Sequence, residues 1–227
     1  MDVYKTIIMK VGILTANLGG FDENFEPVEQ NVPNGIEVVF HKWTDINFPP
    51  ITGLTPRFQY RIPKLFGWQM FPDCDFYLWL DGSMSLQHPN CLKWFIGQIE
   101  GNDMVLFRHP ERSTIKSEVD FIEKKIKEGN KYLLSRYENG LGEECYGEII
   151  KDGEFVDDQL FASTVFVYRN TRKVQKALKD WWFWQSRFWS CDQIPLPYVL
   201  WKNKIKIKTI NENVFDFKYL TLASKHK

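Results

Sequence analysis

The sequence predicts an α/β fold in which a mixed, mostly parallel central sheet is flanked by helices. Short apolar runs typical of buried strands recur along the chain, at 7–14, 36–40, 76–80, 103–107 and 161–168. Segments with apolar residues at helical spacing lie between several of these runs. The chain has 227 residues, of which 44 % are hydrophobic, and this is enough apolar material for one large core. We therefore expect a single domain over residues 1–227.

Composition and charge exclude several classes of protein. Lysine plus arginine equals aspartate plus glutamate, at 29 each, which gives no support for a general nucleic-acid or membrane-surface binder. The four cysteines form no CxxC pair, so a zinc site is not predicted, and their scatter is typical of free thiols in a reducing compartment. No segment approaches the ~20 apolar residues that a membrane-spanning helix needs. The amino-terminal segment also lacks the features of a signal peptide.

The strand predicted at 76–80 ends abruptly at Asp81, followed by Gly82 and Ser83. Ligands of open α/β sheets bind at the carboxyl ends of the strands. A carboxylate there, beside a glycine that lets backbone approach closely, suits a divalent cation or a sugar hydroxyl. The simpler interpretation is that Asp81-Gly82 is only a turn after a strand.

The first predicted strand leads into Thr15 and a Gly-rich loop that ends at Gly20. The loop does not match GxGxxG and contains no basic residue, so a dinucleotide-binding fingerprint is not supported. A small polar loop at a strand end can still hold a nucleoside. Thr15 is therefore a candidate donor-binding residue.

A basic segment precedes the Asp81 strand. Thr55-Pro56 predicts the start of a helix, and Arg57, Arg61 and Lys64 then follow at spacings of four and three, on one helical face. Pro63 is expected to end or kink that helix. Guanidinium and ammonium groups on one face can bind a diphosphate, although a solvated basic surface is the simpler interpretation.

The second half of the chain supplies two candidate catalytic acids. Apolar spacing predicts one helix over 114–137, and 140–153 is predicted to be loop-rich. Asp157 and Asp158 precede the strand at 161–168, and Asp192 follows an aromatic helix. Adjacent residues of an extended segment alternate in direction, so only one of the paired acids is expected to face a site, the other facing solvent or capping a helix. The segment 205–210 predicts a further strand.

Together these segments resemble glycosyltransferases of the GT-A fold, which is Rossmann-like. More closely, they resemble a family of plant and microbial glycosyltransferase-like proteins and the N-terminal domain of chlorella-virus glycosyltransferases. The matching stretches are RFQYRIPKLF at 57–66, YLWLDG at 77–82, HPER at 109–112, DQIPLPYVLWK at 192–202 and the closing Lys225-His226. The resemblance implies transfer of a hexose or deoxyhexose from a uridine-linked nucleotide sugar to a glycan hydroxyl. It also implies a cytoplasmic monomer (host cytoplasm if viral) that could be the N-terminal part of a longer protein.

The chain departs from the GT-A pattern at the strand end. That family usually has Asp-x-Asp there, binding a manganese ion that bridges the donor diphosphate, whereas this chain has Asp81-Gly82-Ser83. The literal Asp-x-Asp at 73–75 lies before the strand, so we expect Asp73 to be a turn residue. By resemblance, Asp81 and His226 are the candidate ligands for Mn²⁺ or Mg²⁺. His41 and His109 are expected to be loop or core histidines.

For catalysis, the resemblance favours Asp158 as the base of an inverting reaction and Asp192 as a contact to a sugar. Two other functions stay open. The incomplete Asp-x-Asp would also suit a nucleotide- or carbohydrate-binding module without catalysis. A nucleotidyltransferase is a weaker alternative, because no Gly-rich loop with Lys or Arg follows the first strand.

Overall fold

The computed structural model describes residues 9–22 and 26–222. Its strands are β1 (Met9–Asn17), β2 (Ile36–Thr44), β3 (Phe76–Asp81), β4 (Met84–Ser85), β5 (Met104–Arg108), β6 (Phe161–Arg169), β7 (Ile207–Ile210) and β8 (Thr221–Leu222). Its helices are α1 (Pro56–Gln59), α2 (Arg61–Met70), α3 (Cys91–Ile99), α4 (Ile115–Lys127), α5 (Lys131–Tyr137), α6 (Gly142–Ile149), α7 (Arg172–Phe188) and α8 (Leu196–Lys202), and Val214–Asp216 forms a 3₁₀ turn.

Six strands form the central sheet, in the order β2-β1-β3-β6-β5-β7. Strand β1 pairs in parallel with β2 and β3, and β5 pairs in parallel with β7. Strand β6 is antiparallel to both of its neighbours, β3 and β5. The predicted mixed, mostly parallel sheet flanked by helices is therefore confirmed.

The direction of strand order reverses at β1. The chain passes from β1 to β2 on one side and then returns to place β3 on the other side. Open α/β sheets bind ligands at such a switch point, in the crevice outside the carboxyl ends of the strands. The carboxyl ends of β1 and β3, which include Thr15 and Asp81, lie at this crevice.

Strand β3 is apolar and buried from Phe76 to Leu80, as a strand covered on both faces of the sheet is. Its residues Phe76, Leu78 and Leu80 pack into one core, which also contains helix α3. Tyr77 and Trp79 point the other way, into a core formed with helices α2, α7 and α8. The five buried residues thus fix β3 in the middle of the molecule and hold Asp81 at its end.

Two predicted elements differ from the structure. The single helix over 114–137 is wrong, because the chain breaks between α4 and α5 at Gly129, whose φ is 77°. The side chain of Asn130 then caps α5 by accepting a hydrogen bond from the Leu133 amide. The predicted loop at 140–153 is also wrong, because helix α6 occupies most of it and buries Cys145 and Ile149.

Smaller differences concern the ends of elements. Strand β1 continues to Asn17, so Thr15 lies on the strand and not in the loop. Thr55 caps the predicted helix start, as its hydroxyl accepts from the Phe58 amide at 3.2 Å. The helix is interrupted at Tyr60, and Pro63 falls in the first turn of α2, where proline is tolerated. Within the described ranges, no helix is both long and apolar enough to cross a membrane.

Candidate active site

Asp81 lies at the carboxyl end of β3, and its side chain is 24 % exposed. One carboxylate oxygen, Oδ1, accepts two hydrogen bonds. The Trp79 indole Nε1 donates to it at 2.8 Å, and the Lys64 ammonium donates to it at 3.0 Å. Burial and the negative charge of Asp192 raise the pKa of Asp81, and the Lys64 cation opposes them.

Lys64 connects Asp81 to Asp192. Its ammonium is fully buried and donates to Asp192 Oδ2 at 2.8 Å as well as to Asp81. Burial acts to lower the pKa of Lys64, but the carboxylates of Asp192 and Asp81 outweigh it and raise that pKa above its ordinary value. The side chain is therefore a protonated cation held between two acids.

Asp192 follows helix α7 and is only 5 % exposed. The Ser163 hydroxyl, near the start of β6, donates to its Oδ2 at 3.0 Å, and the Trp181 indole donates to its main-chain carbonyl at 2.7 Å. Burial alone would raise the pKa of Asp192, but Lys64, Arg61 and Arg57 hold it well below its ordinary value. The lowered pKa favours the ionised carboxylate of Asp192 and makes it a weak proton acceptor.

Two arginines, Arg61 and Arg57, add positive charge near Asp192. The Arg61 side chain is 2 % exposed, and its Nε and Nη1 have no hydrogen-bond partner among the described residues. Arg57 donates through Nη2 to the Tyr137 hydroxyl, and its buried Nε is likewise without a partner in the described part of the chain. Three cations thus face two carboxylates here, so the site favours an added anion. The predicted basic face is split between α1 and α2, and all three cations still act on Asp192.

A cleft opens at the switch point between β1 and β3. Its walls include residues from the ends of β1, β2 and β3 and from the segment after β3: Thr15, Asn17, Lys42, Leu80, Gly82 and Ser85. A Cβ at Gly82 would lie 2.8 Å from the Ala16 carbonyl oxygen and 2.9 Å from Asp22 Oδ2. Glycine is therefore required for the close backbone approach at this wall. Ser83 is buried and does not line the cleft.

The paired acids before β6 diverge, as their alternation predicts. Both carboxylate oxygens of Asp157 accept hydrogen bonds at the start of α4, from the amides of Ile115 and Lys116 at 2.7 and 3.0 Å. Asp157 is therefore a helix cap. Asp158 is exposed. Because β6 is antiparallel to β3, its start lies at the same edge of the sheet as Asp81.

Comparison with known proteins identifies the family of this chain. The family described as TOD1/MUCI70, glycosyltransferase-like domain, matches residues 43–226. The chain belongs to this family. The resemblance to glycosyltransferases is thereby confirmed, and the α/β architecture is that of a GT-A-like glycosyltransferase domain.

Among solved structures, the apo form of mouse xyloside xylosyltransferase 1 is similar to this chain. It aligns with a TM-score of 0.44 and 11 % identity, over 89 % of this chain and 85 % of that one. No curated protein matches the sequence.

The TOD1/MUCI70 domain does not present a complete metal site within its described residues. These contain no group of three or more His, Cys, Asp or Glu side chains that could hold a metal ion. At Asp81, Oδ1 already accepts from Lys64 and Trp79. The donor set found there therefore does not fit a divalent cation by itself. His226, the other candidate ligand, lies outside the described residues.

Among the described residues, the remaining candidates make no hydrogen bond or ion pair to Asp81, Lys64 or Asp192. Asp73 has a left-handed backbone, with φ 73°, in the turn before β3, and Asp75 accepts from the Lys10 amide at 2.7 Å. The literal Asp-x-Asp is thus at the amino end of the strand. His41 stacks on Phe71, with ring centroids 4.9 Å apart, and His109 is buried.

Sequence reasoning missed two residues of the TOD1/MUCI70 site, Ser163 and Trp79. Ser163 belongs to the small residues at the start of β6, and the antiparallel register brings it level with the end of β3. Trp79 lies two residues before Asp81, so the two side chains share a face of the sheet. That spacing of two was the available signal for Trp79. Ser163 required the strand pairing.

Proposed function

We propose that this domain transfers a hexose or deoxyhexose from a nucleoside-diphosphate sugar to a hydroxyl group of a glycan. The observation that carries the proposal is the Asp81–Lys64–Asp192 network at the carboxyl end of β3, where Leu80 and Gly82, the chain neighbours of Asp81, line the cleft. A leaving diphosphate needs positive charge where negative charge develops. Lys64, Arg61 and Arg57 supply positive charge around Asp192 at this edge of the sheet.

In the proposed complex, the nucleoside occupies the cleft between β1 and β3 and contacts Thr15. The diphosphate then extends past the end of β3 toward Arg57 and Arg61. The unpartnered guanidinium nitrogens are suited to phosphate oxygens, because a charged fork matches their geometry. A uridine-linked donor follows from the family resemblance.

Two acids have separate roles in the proposed reaction. Asp192 stays ionised, so it accepts hydrogen bonds from hydroxyl groups of the donor sugar. Asp158 is exposed at the same sheet edge and takes the proton of the acceptor hydroxyl. Attack by that oxygen on the anomeric carbon, opposite the departing diphosphate, inverts the configuration.

Metal assistance by Mn²⁺ or Mg²⁺ remains a prediction from the resemblance. The described donor set at Asp81 does not fit a metal ion by itself, so the proposed reaction includes no metal-dependent step. The role of His226 as a ligand is likewise a prediction.

Calorimetry with uridine diphosphate, with and without Mn²⁺, tests the nucleotide site. A screen of nucleotide sugars for release of the nucleoside diphosphate then tests transfer. We expect uridine diphosphate to bind the wild type and to lose affinity in Arg61→Met, which keeps the apolar stem but removes the fork. Failure of the whole panel to bind would contradict the proposal.

A binding module without catalysis is the second candidate. The ion pair between Asp81 and Lys64 supports it, since the strand-end acid is already neutralised. Such a module would bind uridine diphosphate but release none from any sugar donor. The donor screen therefore separates the two candidates.

A further inference from the structure

The Lys64 ammonium occupies the position between the strand-end acid and the acid that follows α7. It lies 3.0 Å from Asp81 Oδ1 and 2.8 Å from Asp192 Oδ2, with no exposed surface. The Trp79 indole holds the same oxygen of Asp81 from another direction. Asp81 thus already has a cation of the protein opposite it.

A divalent cation at that oxygen would have to displace this arrangement. Hard cations of the Mg²⁺ and Ca²⁺ type bind oxygens at about 2.0–2.6 Å, and a second cation on Oδ1 would repel the ammonium. Lys64 is fully buried, and removing it from its partners would leave buried charges unpaired. Ser83, which stands where Asp-x-Asp has its second acid, is buried outside the cleft wall.

We infer that Lys64 is the resident cation of the strand-end acid, holding the position at Asp81 where Asp-x-Asp glycosyltransferases hold a divalent metal. Among the described residues, Asp81 Oδ1 accordingly offers no position for a metal ion. A second part rests on the proposed function: nucleotide binding does not depend on a metal at Asp81.

The first experiment titrates Mn²⁺ into the full chain and follows thermal unfolding of the wild type and of variants at Lys64, Asp192 and Asp81. Lys64→Ala opens the space between two carboxylates, whereas Lys64→Met removes the charge and keeps the space filled. We expect Mn²⁺ to raise the Tm of Lys64→Ala in a concentration-dependent way, because a ligand that binds only the folded state stabilises it. Wild type and Lys64→Met should show no such rise. Adding Asp192→Asn to Lys64→Ala should remove the gain.

Two results would overturn the inference. One is a Mn²⁺-dependent rise in the Tm of the wild type that Asp81→Asn abolishes. The other is a folded Lys64→Ala protein that does not respond to Mn²⁺. If Lys64→Ala does not fold, the comparison of wild type with Asp81→Asn decides the question alone.

The second experiment measures uridine diphosphate binding to the wild type with a chelator and with Mn²⁺. We expect equal affinities in the two conditions. A loss of affinity in chelator that matches the loss in Asp81→Asn would overturn the second part. If uridine diphosphate binds in neither condition, the proposed function fails, and the Mn²⁺ titrations still decide the role of Lys64.

Discussion

Asp192 and Asp158, the two acids predicted to act in catalysis, lie in opposite environments. Asp192 is buried and bonded to Lys64 and Ser163, whereas Asp158 is exposed. Removing one partner of a buried ion pair costs about 3–5 kcal/mol of folding free energy, while a surface substitution changes it by less than about 0.5 kcal/mol. The loss of folding free energy in Asp192→Asn should lie at the low end of the first range, because Lys64 still forms its ion pair with Asp81. Urea denaturation of both Asn variants measures the contrast, and equal losses would contradict the network.

Activity should show a different contrast for Asp158. Removing a general base lowers turnover by about 10²–10⁴-fold, so we expect that loss in Asp158→Asn with uridine diphosphate affinity unchanged. The matched control is Asp157→Asn, which weakens the cap of α4 and should affect stability more than turnover. Proton NMR of the first product gives its anomeric configuration. Retention, or near-normal turnover in Asp158→Asn, would exclude the assigned role.

At the scale of elements, the site depends on how closely α2 packs on β1. A Cβ at Gly67 would lie 2.5 Å from Leu14 Cδ1, so the helix carrying Lys64 touches the strand through a glycine. Gly67→Ala should therefore cost about 1–3 kcal/mol of folding free energy by overpacking. Either the buried Leu14 side chain or α2 must shift, and a shift of α2 would also weaken nucleotide binding.

Gly97 in α3 provides the matched control for Gly67. A Cβ there would meet nothing within 4 Å. Gly97→Ala should therefore stabilise the protein by about 0.5–1 kcal/mol, the usual gain for alanine in a helix. Chemical denaturation of both variants measures the difference. The same sign of change in the two proteins would refute the role given to the α2–β1 contact.

Strands β1, β3, β5 and β6 could be predicted because each is a run of apolar residues that packs into both cores. The two-residue strands β4 and β8 were not predicted. The break between α4 and α5 could not, because helical spacing continues across Gly129 while its backbone does not. Helix α6 was missed because Cys145 and Ile149 are its only two buried residues and both adjoin polar or glycine positions. Elements were thus predictable where local pattern and packing agree.

The site was predictable only in part, for a similar reason. Asp81 was found because a strand end marks it in the sequence. The bond between Lys64 and Asp192 joins residues 128 positions apart, and only the packing of the helices brings them together. The ion pair between Lys64 and Asp192, and the contact that Lys64 also makes with Asp81, could therefore not be derived from sequence spacing.

At the scale of the whole molecule, His109 should make stability depend on pH. Its imidazole Nδ1 accepts from the amides of Glu111 and Arg112 at 3.2 and 3.1 Å, and the Arg112 guanidinium approaches Nε2. Burial first, and then the Arg112 cation, lower the pKa of His109 from 6.5 to about 4, although Glu111 acts in the opposite direction. Glu118 lies 3.9 Å away and is itself bonded to Arg112.

The direction of this pH dependence follows from whether the folded or the unfolded protein protonates His109 at the higher pH. Between pH 6.5 and about 4, the unfolded chain protonates His109 while the folded protein does not. The contribution of neutral His109 to the free energy of unfolding should therefore be fully present above pH 6.5. It should decline as the pH falls, by at most about 1.4 kcal/mol per pH unit. His109→Asn keeps an acceptor oxygen for the two amides but cannot titrate. Buried acids such as Glu118 and Asp81, whose pKa values are raised, act in the opposite direction in both proteins and cancel in the comparison. Urea unfolding across this range should show a steeper loss for the wild type than for His109→Asn, and parallel curves would mean that His109 is already protonated in the folded state.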